Sequence, residues 1–270
     1  MKIGNKEFQT RGRTYCMGIL NVTPDSFSDG GKFIKPDLAL KHVEQMLADG
    51  MDVLDIGGES TRPGHQQISV QEEIERVTPV IELIKKEFDV PVSLDTYKPE
   101  VAKAGILAGA DLINDIWGLK YDSGMAVLLA ESGLPCCLMH NRKEAVYSNF
   151  MQEIAADLAD TIHLAQKAGI CDEQIILDPG VGFGKTYEQN LEVMNCMEEL
   201  KVLGYPILLG SSRKSVIGLT LHVPAEERLE GTLATTVLAV IKGCMFVRVH
   251  DVKENVRAIR MTEAILHAGK

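Results

Sequence analysis

A closed barrel of eight parallel strands, each followed by a helix, is the fold this sequence predicts, a (β/α)8 TIM barrel, and three observations predict it. Eight short apolar, β-branched runs each end in polar or Gly-rich residues. Amphipathic helical stretches separate them. The run ends recur every ~20–40 residues, the spacing of βα units joined by right-handed crossovers. A length of 270 residues fits as well, since such barrels need about 250. Periodicity does not report closure, so an open doubly wound sheet is the alternative architecture.

Strands are expected at Tyr15–Asn21, Val53–Gly57, Val92–Asp95, Leu112–Ile116, Cys136–His140, Ile175–Asp178, Ile207–Gly210 and Phe246–His250. The first helix is expected over Asp37–Asp49. The second shows the pattern most clearly: Ile74, Val77, Ile81, Ile84 and Phe88 are spaced alternately by three and four along one face. Pro99–Ala108, Gly124–Glu131, Phe150–Lys167, Tyr187–Leu203 and Glu226–Lys242 supply further helices, and Val256, Ile259 and Leu266 form one stripe after the last strand. Residues 1–13 are polar with Gly4 and Gly12, which suits a short N-terminal hairpin or cap at the barrel's lower end. No Pro/Ser-rich linker or charge block divides the chain, so residues 1–270 read as one domain.

Composition narrows the function. Apolar residues at 45% suffice for a sizeable core, and the formal charge is −10, from 28 basic and 38 acidic side chains. Such acidity argues against a nucleic-acid partner, which needs a basic face. Any anion site must therefore be built locally from Arg, Lys, His, backbone N–H or a metal. Cysteines at 16, 136, 137, 171, 196 and 244 include no C-x-x-C, and read as buried free thiols of a reducing cytoplasm. Met1–Lys6 lacks the apolar stretch of a signal peptide. No apolar run approaches the roughly 18 residues of a membrane helix. A cytoplasmic protein without a membrane partner is the expectation.

Barrel enzymes build their active sites at the C-terminal ends of the strands. The first strand runs into Asn21–Gly31 and the second into Gly57–Gly64, both long βα loops punctuated by Gly and Pro. Strands three, four and six end in Asp95, Asn114-Asp115 and Asp178. Aimed into one barrel mouth, these would form a ring of acceptors and donors suited to a flat heterocycle bearing N–H groups. Helix N-capping is the bland alternative for each residue taken singly, and a magnesium site a competing functional one. On the last strand, Arg248 and His250 share a face. With the Ser211–Ser215 segment read as a helix N-terminus, they make a small cationic mouth for phosphate. The run Pro179–Thr186 imitates a phosphate loop, but Pro179 occupies the first glycine slot and counting from Gly180 leaves one residue too few.

The strings Gly18–Asp29 (GILNVTPDSFSD), Asp55–Gly64 (DIGGESTRPG), Asp178–Gly184 (DPGVGFG) and Ser212–Ser215 (SRKS) resemble the dihydropteroate synthases from Met17 onward. That resemblance implies a transferase that condenses a hydroxymethyl-dihydropterin pyrophosphate with para-aminobenzoate, by a dissociative displacement in folate biosynthesis. It implies that Asp95, Asn114, Asp178 and Lys214 hold the pterin, and that Asn21, Thr61, Arg248 and His250 hold the pyrophosphate. Asn21 would also touch Mg²⁺, the implied cofactor. Phe27, Pro63, Phe183 and Ser212 would form the para-aminobenzoate pocket, where sulfonamide inhibitors would compete. Lys214, Arg248, His250 and Asp95 would carry the catalysis, and the subunits would pair as homodimers. The Thr23–Gly31 and Ser60–Gly64 loops and the Ser212–Lys214 run favour this family over the similar pterin-dependent methyltransferases that serve corrinoid proteins. Candidates at every site position argue against a silent pterin-binding scaffold. The sequence does not say whether Asp55 and Glu59 touch ligand or brace the second loop.

Overall fold

The structure is a computed structural model that describes residues 1–22, 36–59 and 67–269. The N-terminal strands β1 (Lys2–Ile3) and β2 (Lys6–Glu7) pair as an antiparallel hairpin. The eight others are β3 (Tyr15–Asn21), β4 (Val53–Gly57), β5 (Val92–Asp95), β6 (Leu112–Asp115), β7 (Cys136–Met139), β8 (Ile175–Asp178), β9 (Leu208–Leu209) and β10 (Phe246–Val249). They form one parallel sheet in the order β8-β7-β6-β5-β4-β3-β10-β9. Its two ends also meet: Leu177 bridges Ile207 in parallel, and the Leu177 N–H donates to Pro206 O at 2.9 Å. The sheet is therefore a (β/α)8 barrel, and the open-sheet alternative falls.

Helices α1 (Pro36–Ala48), α2 (Val70–Glu87), α3 (Pro99–Ala108), α4 (Gly124–Ser132), α5 (Phe150–Ala168), α6 (Tyr187–Asn195), α7 (Ser215–Leu221), α8 (Leu229–Ile241) and α9 (Val252–His267) lie between and after the strands. Helix α2 shows how local chemistry sets the ends. The Ser69 hydroxyl accepts from Glu72 N at 3.1 Å, while Glu72 and Glu73 begin the helix and Lys85 and Lys86 end it. These charges complement the helix dipole. Its buried stripe is Val77, Val80, Ile81 and Ile84, and Phe88 is already extended.

Period-two alternation sorts the barrel residues. Outward-facing Leu20, Leu54, Ile56, Val92, Leu94, Ile113, Leu138, Leu177 and Val247 pack against the helices in the main core. Inward-facing Tyr15, Met17, Val53, Leu112, Cys137, Ile176, Leu208 and Phe246 fill the lower barrel together with Ile3 and Phe8 of the N-terminal segment. The expected cap is thus a plug, with the Phe8 ring edge-on to Tyr15 at 4.9 Å. Burying a side chain of this size contributes roughly 1.5–3 kcal/mol, which holds a hairpin too short to be stable alone.

Several boundaries differ from expectation. Strand β6 stops at Asp115 because its carboxylate turns the chain, accepting Trp117 N at 2.8 Å and Leu119 N at 2.7 Å. Strands β7, β9 and β10 also end a residue or so early. The expected helix over Tyr187–Leu203 breaks at Cys196 into α6 and a 3₁₀ segment, Met197–Leu203. Likewise Ala225–Glu227 is a 3₁₀ turn ahead of α8. Val256 and Ile259 are buried but Leu266 is 37% exposed, so the last stripe is shorter than read. All six thiols are free, yet Cys171 is exposed and Cys196 only half-buried.

Candidate active site

Four strand ends stand side by side in register: Asn21 beside Gly57, Gly57 beside Asp95, and Asp95 beside Asn114. Gly57 has no side chain, and its Cβ position lies 3.8 Å from both Asn21 Oδ1 and Asp95 Oδ2. From β10, Arg248 reaches across this row. Its Nε donates to Asp55 Oδ2 at 2.6 Å and its Nη2 to Asp95 Oδ2 at 2.7 Å. The Ser93 hydroxyl donates to the other Asp55 oxygen. Burial opposes the Arg248 charge, but Asp55 and Asp95 outweigh it and raise its pKa. Asp55 therefore braces the arginine from below.

Asp95 is the strained member of this set. Burial pushes its carboxyl up to about 7 against the pull of Arg248. Its Oδ1 is buried and has no hydrogen-bond partner among the described residues. Buried polar atoms are almost always paired, so this oxygen is an acceptor awaiting a donor. Asn114 is buried next to it.

On the far side, the Asp178 carboxylate accepts Gly180 N at 2.7 Å. Burial raises its pKa, opposed chiefly by Lys214. The Lys214 ammonium donates to Val181 O and lies 4.7 Å from the Phe183 ring centroid. Burial lowers it to about 8, resisted by Asp178. Gly210 opens the space between them, its Cβ position being 3.5 Å from Asp178 Oδ2 and 3.9 Å from Lys214 Nζ. Ile116, Met139, Tyr97, Trp117 and Phe183 cluster as an apolar group at the same end of the barrel.

Ser212 Oγ lies 3.0 Å from His250 Nδ1 and accepts the His250 backbone N–H at 3.2 Å. The rest of the Ser211–Ser215 segment departs from expectation. Helix α7 starts only at Ser215. Ser211 bonds to Thr235, and Arg213, in the left-handed region at φ 56°, turns its guanidinium onto Asp251. The donor side chains of this mouth are therefore those of Lys214, Arg248 and His250, with Lys214 itself at the N-cap of α7. Asp115 is likewise removed from the ring, because alternation points it outward to cap its own turn.

Thr61, Phe27 and Pro63 lie outside the described residues, as do most of the two long loops. Glu59, at the root of the second loop, is buried, with its Oε2 accepting Lys98 Nζ at 2.7 Å and Ile68 N at 3.0 Å. Lys98 also binds Glu73 at 2.7 Å. Glu59 thus ties the two ends of that loop together. Among the described residues no group of three or more His, Cys, Asp or Glu converges on a metal position. Asn21 offers one hard oxygen, which suits an ion such as Mg²⁺ that keeps most of its ligands as water and phosphate.

Sequence reading named Asp55 without deciding its role, and missed Ser93 and Lys185. Asp55 had a signal: an inward Asp between buried apolar residues in Val53–Gly57. Lys185 was visible only as part of a failed phosphate-loop match.

Comparison with known proteins follows the same lines. A family model described as pterin binding enzyme matches residues 17–250. The chain is 61% identical over 267 residues to a dihydropteroate synthase of Clostridium beijerinckii, spanning 98% of this chain and 99% of that one. The Yersinia pestis dihydropteroate synthase, solved with a sulfonamide drug complex, superposes with a TM-score of 0.93 at 42% identity, covering 99% of each chain. The Xanthomonas albilineans enzyme in complex with 7,8-dihydropteroate gives a TM-score of 0.87 at 39% identity, covering 95% of each. Among the described residues no helix is long and apolar enough to cross a membrane.

Proposed function

The chain belongs to the pterin-binding enzyme family, and from that premise we propose how its residues carry out the dihydropteroate synthase reaction. The activity is transfer of a pterin-methyl group: a hydroxymethyl-dihydropterin pyrophosphate and para-aminobenzoate give dihydropteroate and pyrophosphate. The observation that carries the assignment is Asp95 Oδ1, unpartnered among the described residues, set in register beside Asn114 and near Lys214, which is itself close to Asp178. A pterin presents ring N–H and amino donors along one edge and acceptors along another. Asp95 and Asp178 accept from it, while Asn114 and Lys214 supply donors.

The reacting carbon is a methylene beside the conjugated ring, so loss of pyrophosphate leaves a cation that the ring spreads. Such a dissociative step needs leaving-group stabilisation more than a strong base. Arg248 has two N–H groups tied to Asp55 and Asp95. Its remaining donors, with His250, Thr61 and Asn21, meet the pyrophosphate. Asn21 would hold Mg²⁺ in part, and the ion would supply further charge neutralisation for the leaving group. The para-aminobenzoate ring sits among Phe27, Pro63 and Phe183 with its carboxylate toward Ser212, and its amine needs orientation and a route for one proton. Sulfonamides that share the ring and the anionic end compete there. Residues 1–270 act as one catalytic domain, in a homodimer, in the cytoplasm.

A product assay tests the reading. Purified protein with Mg²⁺, pterin pyrophosphate and para-aminobenzoate should yield dihydropteroate. If product forms only from methyltetrahydrofolate and a corrinoid acceptor, the chain is a methyltransferase and the leaving-group roles are wrong.

A further inference from the structure

Lys185 sits where β8 has just ended and α6 is about to begin, and its ammonium has three protein acceptors. It lies 2.9 Å from His140 Nδ1, 3.0 Å from Gly180 O and 3.1 Å from Phe183 O. Burial lowers the Lys185 pKa to about 7, with Asp178 resisting; while protonated, the ammonium has three N–H donors and all are used. His140 is itself fixed, its Nε2 lying 2.9 Å from Asp157 Oδ2. Asp157 is in turn bound by Arg142 Nε at 2.6 Å. Burial and the nearby Lys185 charge push His140 down to about 3. The ring is therefore neutral, with Nε2–H toward the carboxylate and Nδ1 free to accept from the lysine.

The turn these contacts clamp has little freedom. Gly180 is at φ 73°, and a Cβ there would meet His140 O at 1.9 Å. Each of its working parts serves the pterin pocket. Gly180 N donates to Asp178, Val181 O accepts from Lys214, and the Phe183 ring lies against the Lys214 ammonium. Lys185 meets the proposed substrate residues only at the backbone of Phe183, yet it fixes the turn that sets three of them. We propose, resting on the pterin reading above, that Lys185 is a positioning residue for the pterin substrate, its ammonium holding the 180–183 turn in the shape that aligns Asp178, Lys214 and Phe183.

Lys185→Met keeps the length of the side chain and removes its donors. Two measurements on the purified variant decide. Amide hydrogen exchange at 180–184 should speed up if the ammonium holds the turn. The KM for pterin pyrophosphate should rise about tenfold, the loss expected for one charge-assisted bond, while kcat falls less, because Arg248 and His250 lie outside this turn. Simple destabilisation would lower the active fraction, and so kcat, without moving KM. Wild-type exchange or a wild-type KM in Lys185→Met would overturn the proposal. Should that variant fail to fold, Asp157→Asn, which loosens His140 from the helix side, must show faster exchange and a raised KM, and unchanged values there overturn it equally. If the wild-type protein makes no dihydropteroate, the functional reading fails instead, and hydrogen exchange still reports whether Lys185 holds the turn.

Discussion

The Ser212 hydroxyl accepts the backbone N–H of His250 and lies 3.0 Å from the same residue's Nδ1. The hydroxyl keeps a second lone pair and its own hydrogen, so this contact forms with either ring tautomer. A residue proposed for para-aminobenzoate and one proposed for pyrophosphate therefore share a hydrogen bond.

Binding at one pocket should be felt at the other. Pyrophosphate with Mg²⁺ should raise the affinity for para-aminobenzoate, and for sulfonamides, by roughly 5–150-fold, the span of ordinary site–site coupling. The reverse titration must give the same factor. Calorimetry with and without pyrophosphate measures it, and equal affinities would mean that the Ser212–His250 contact transmits nothing.

Asp178→Asn should lower kcat/KM by about ten- to a hundredfold, the cost of roughly 1–3 kcal/mol for a mismatched buried hydrogen bond. The amide oxygen can still accept Gly180 N, so the melting temperature should stay nearly unchanged. Near-normal turnover would remove Asp178 from the site.

Arg248→Lys tests the fork. The guanidinium serves Asp55 and Asp95 at once, and a lysine ammonium cannot reproduce that geometry. Losing one charge-assisted bond costs about 1.5–3 kcal/mol. We expect both reduced thermal stability and a drop in kcat/KM of at least about tenfold. Full kcat/KM with the metal-bound substrate would exclude the leaving-group role.

The pH profile follows from Lys214. Burial lowers its pKa to about 8, so the ammonium is present below that value and lost as pH rises through it. Since kcat/KM reports groups of the free enzyme, it should fall on the alkaline side near that pH. Lys214→Arg, which does not titrate in this range, should remove the Lys214 part of that limb at a lower plateau, leaving the fall at about pH 7 that Lys185 contributes. A wild-type profile that stays flat well above about 9 would show that Lys214 need not be charged.

Much of this was legible in the residues. Strands such as Val53–Gly57 and Ile175–Asp178 announce themselves because they are apolar, short and cut off by Gly or Pro. Their polar last residues then mark the mouth, and Asp95, Asn114 and Asp178 are found there. Pairing was harder to read, because Arg248 and Asp55 are 193 positions apart and nothing local joins them. Asp115 was readable and misgrouped with Asn114, for the same alternation that turns Asn114 inward turns its neighbour out. Lys185 lies in a glycine-rich turn with no periodicity, so only coordinates reveal its three acceptors. Phe27, Thr61 and Pro63 remain matters of resemblance, being outside the described residues.

The closure of the sheet has a consequence in time. Tyr15–Gly18 must pair with Phe246–Val249 to complete the ring, and the cation that neutralises Asp55 and Asp95 rides on that last strand. On a ribosome, Arg248 emerges 153 residues after Asp95, roughly 8–30 s later at ordinary rates of synthesis. Until then the nascent chain holds two carboxylates whose burial would be uncompensated, and strand edges with no neighbour. A nearly finished barrel is thus no resting place. The growing chain gains its sealed sheet and its working charge arrangement together, with the arrival of one arginine.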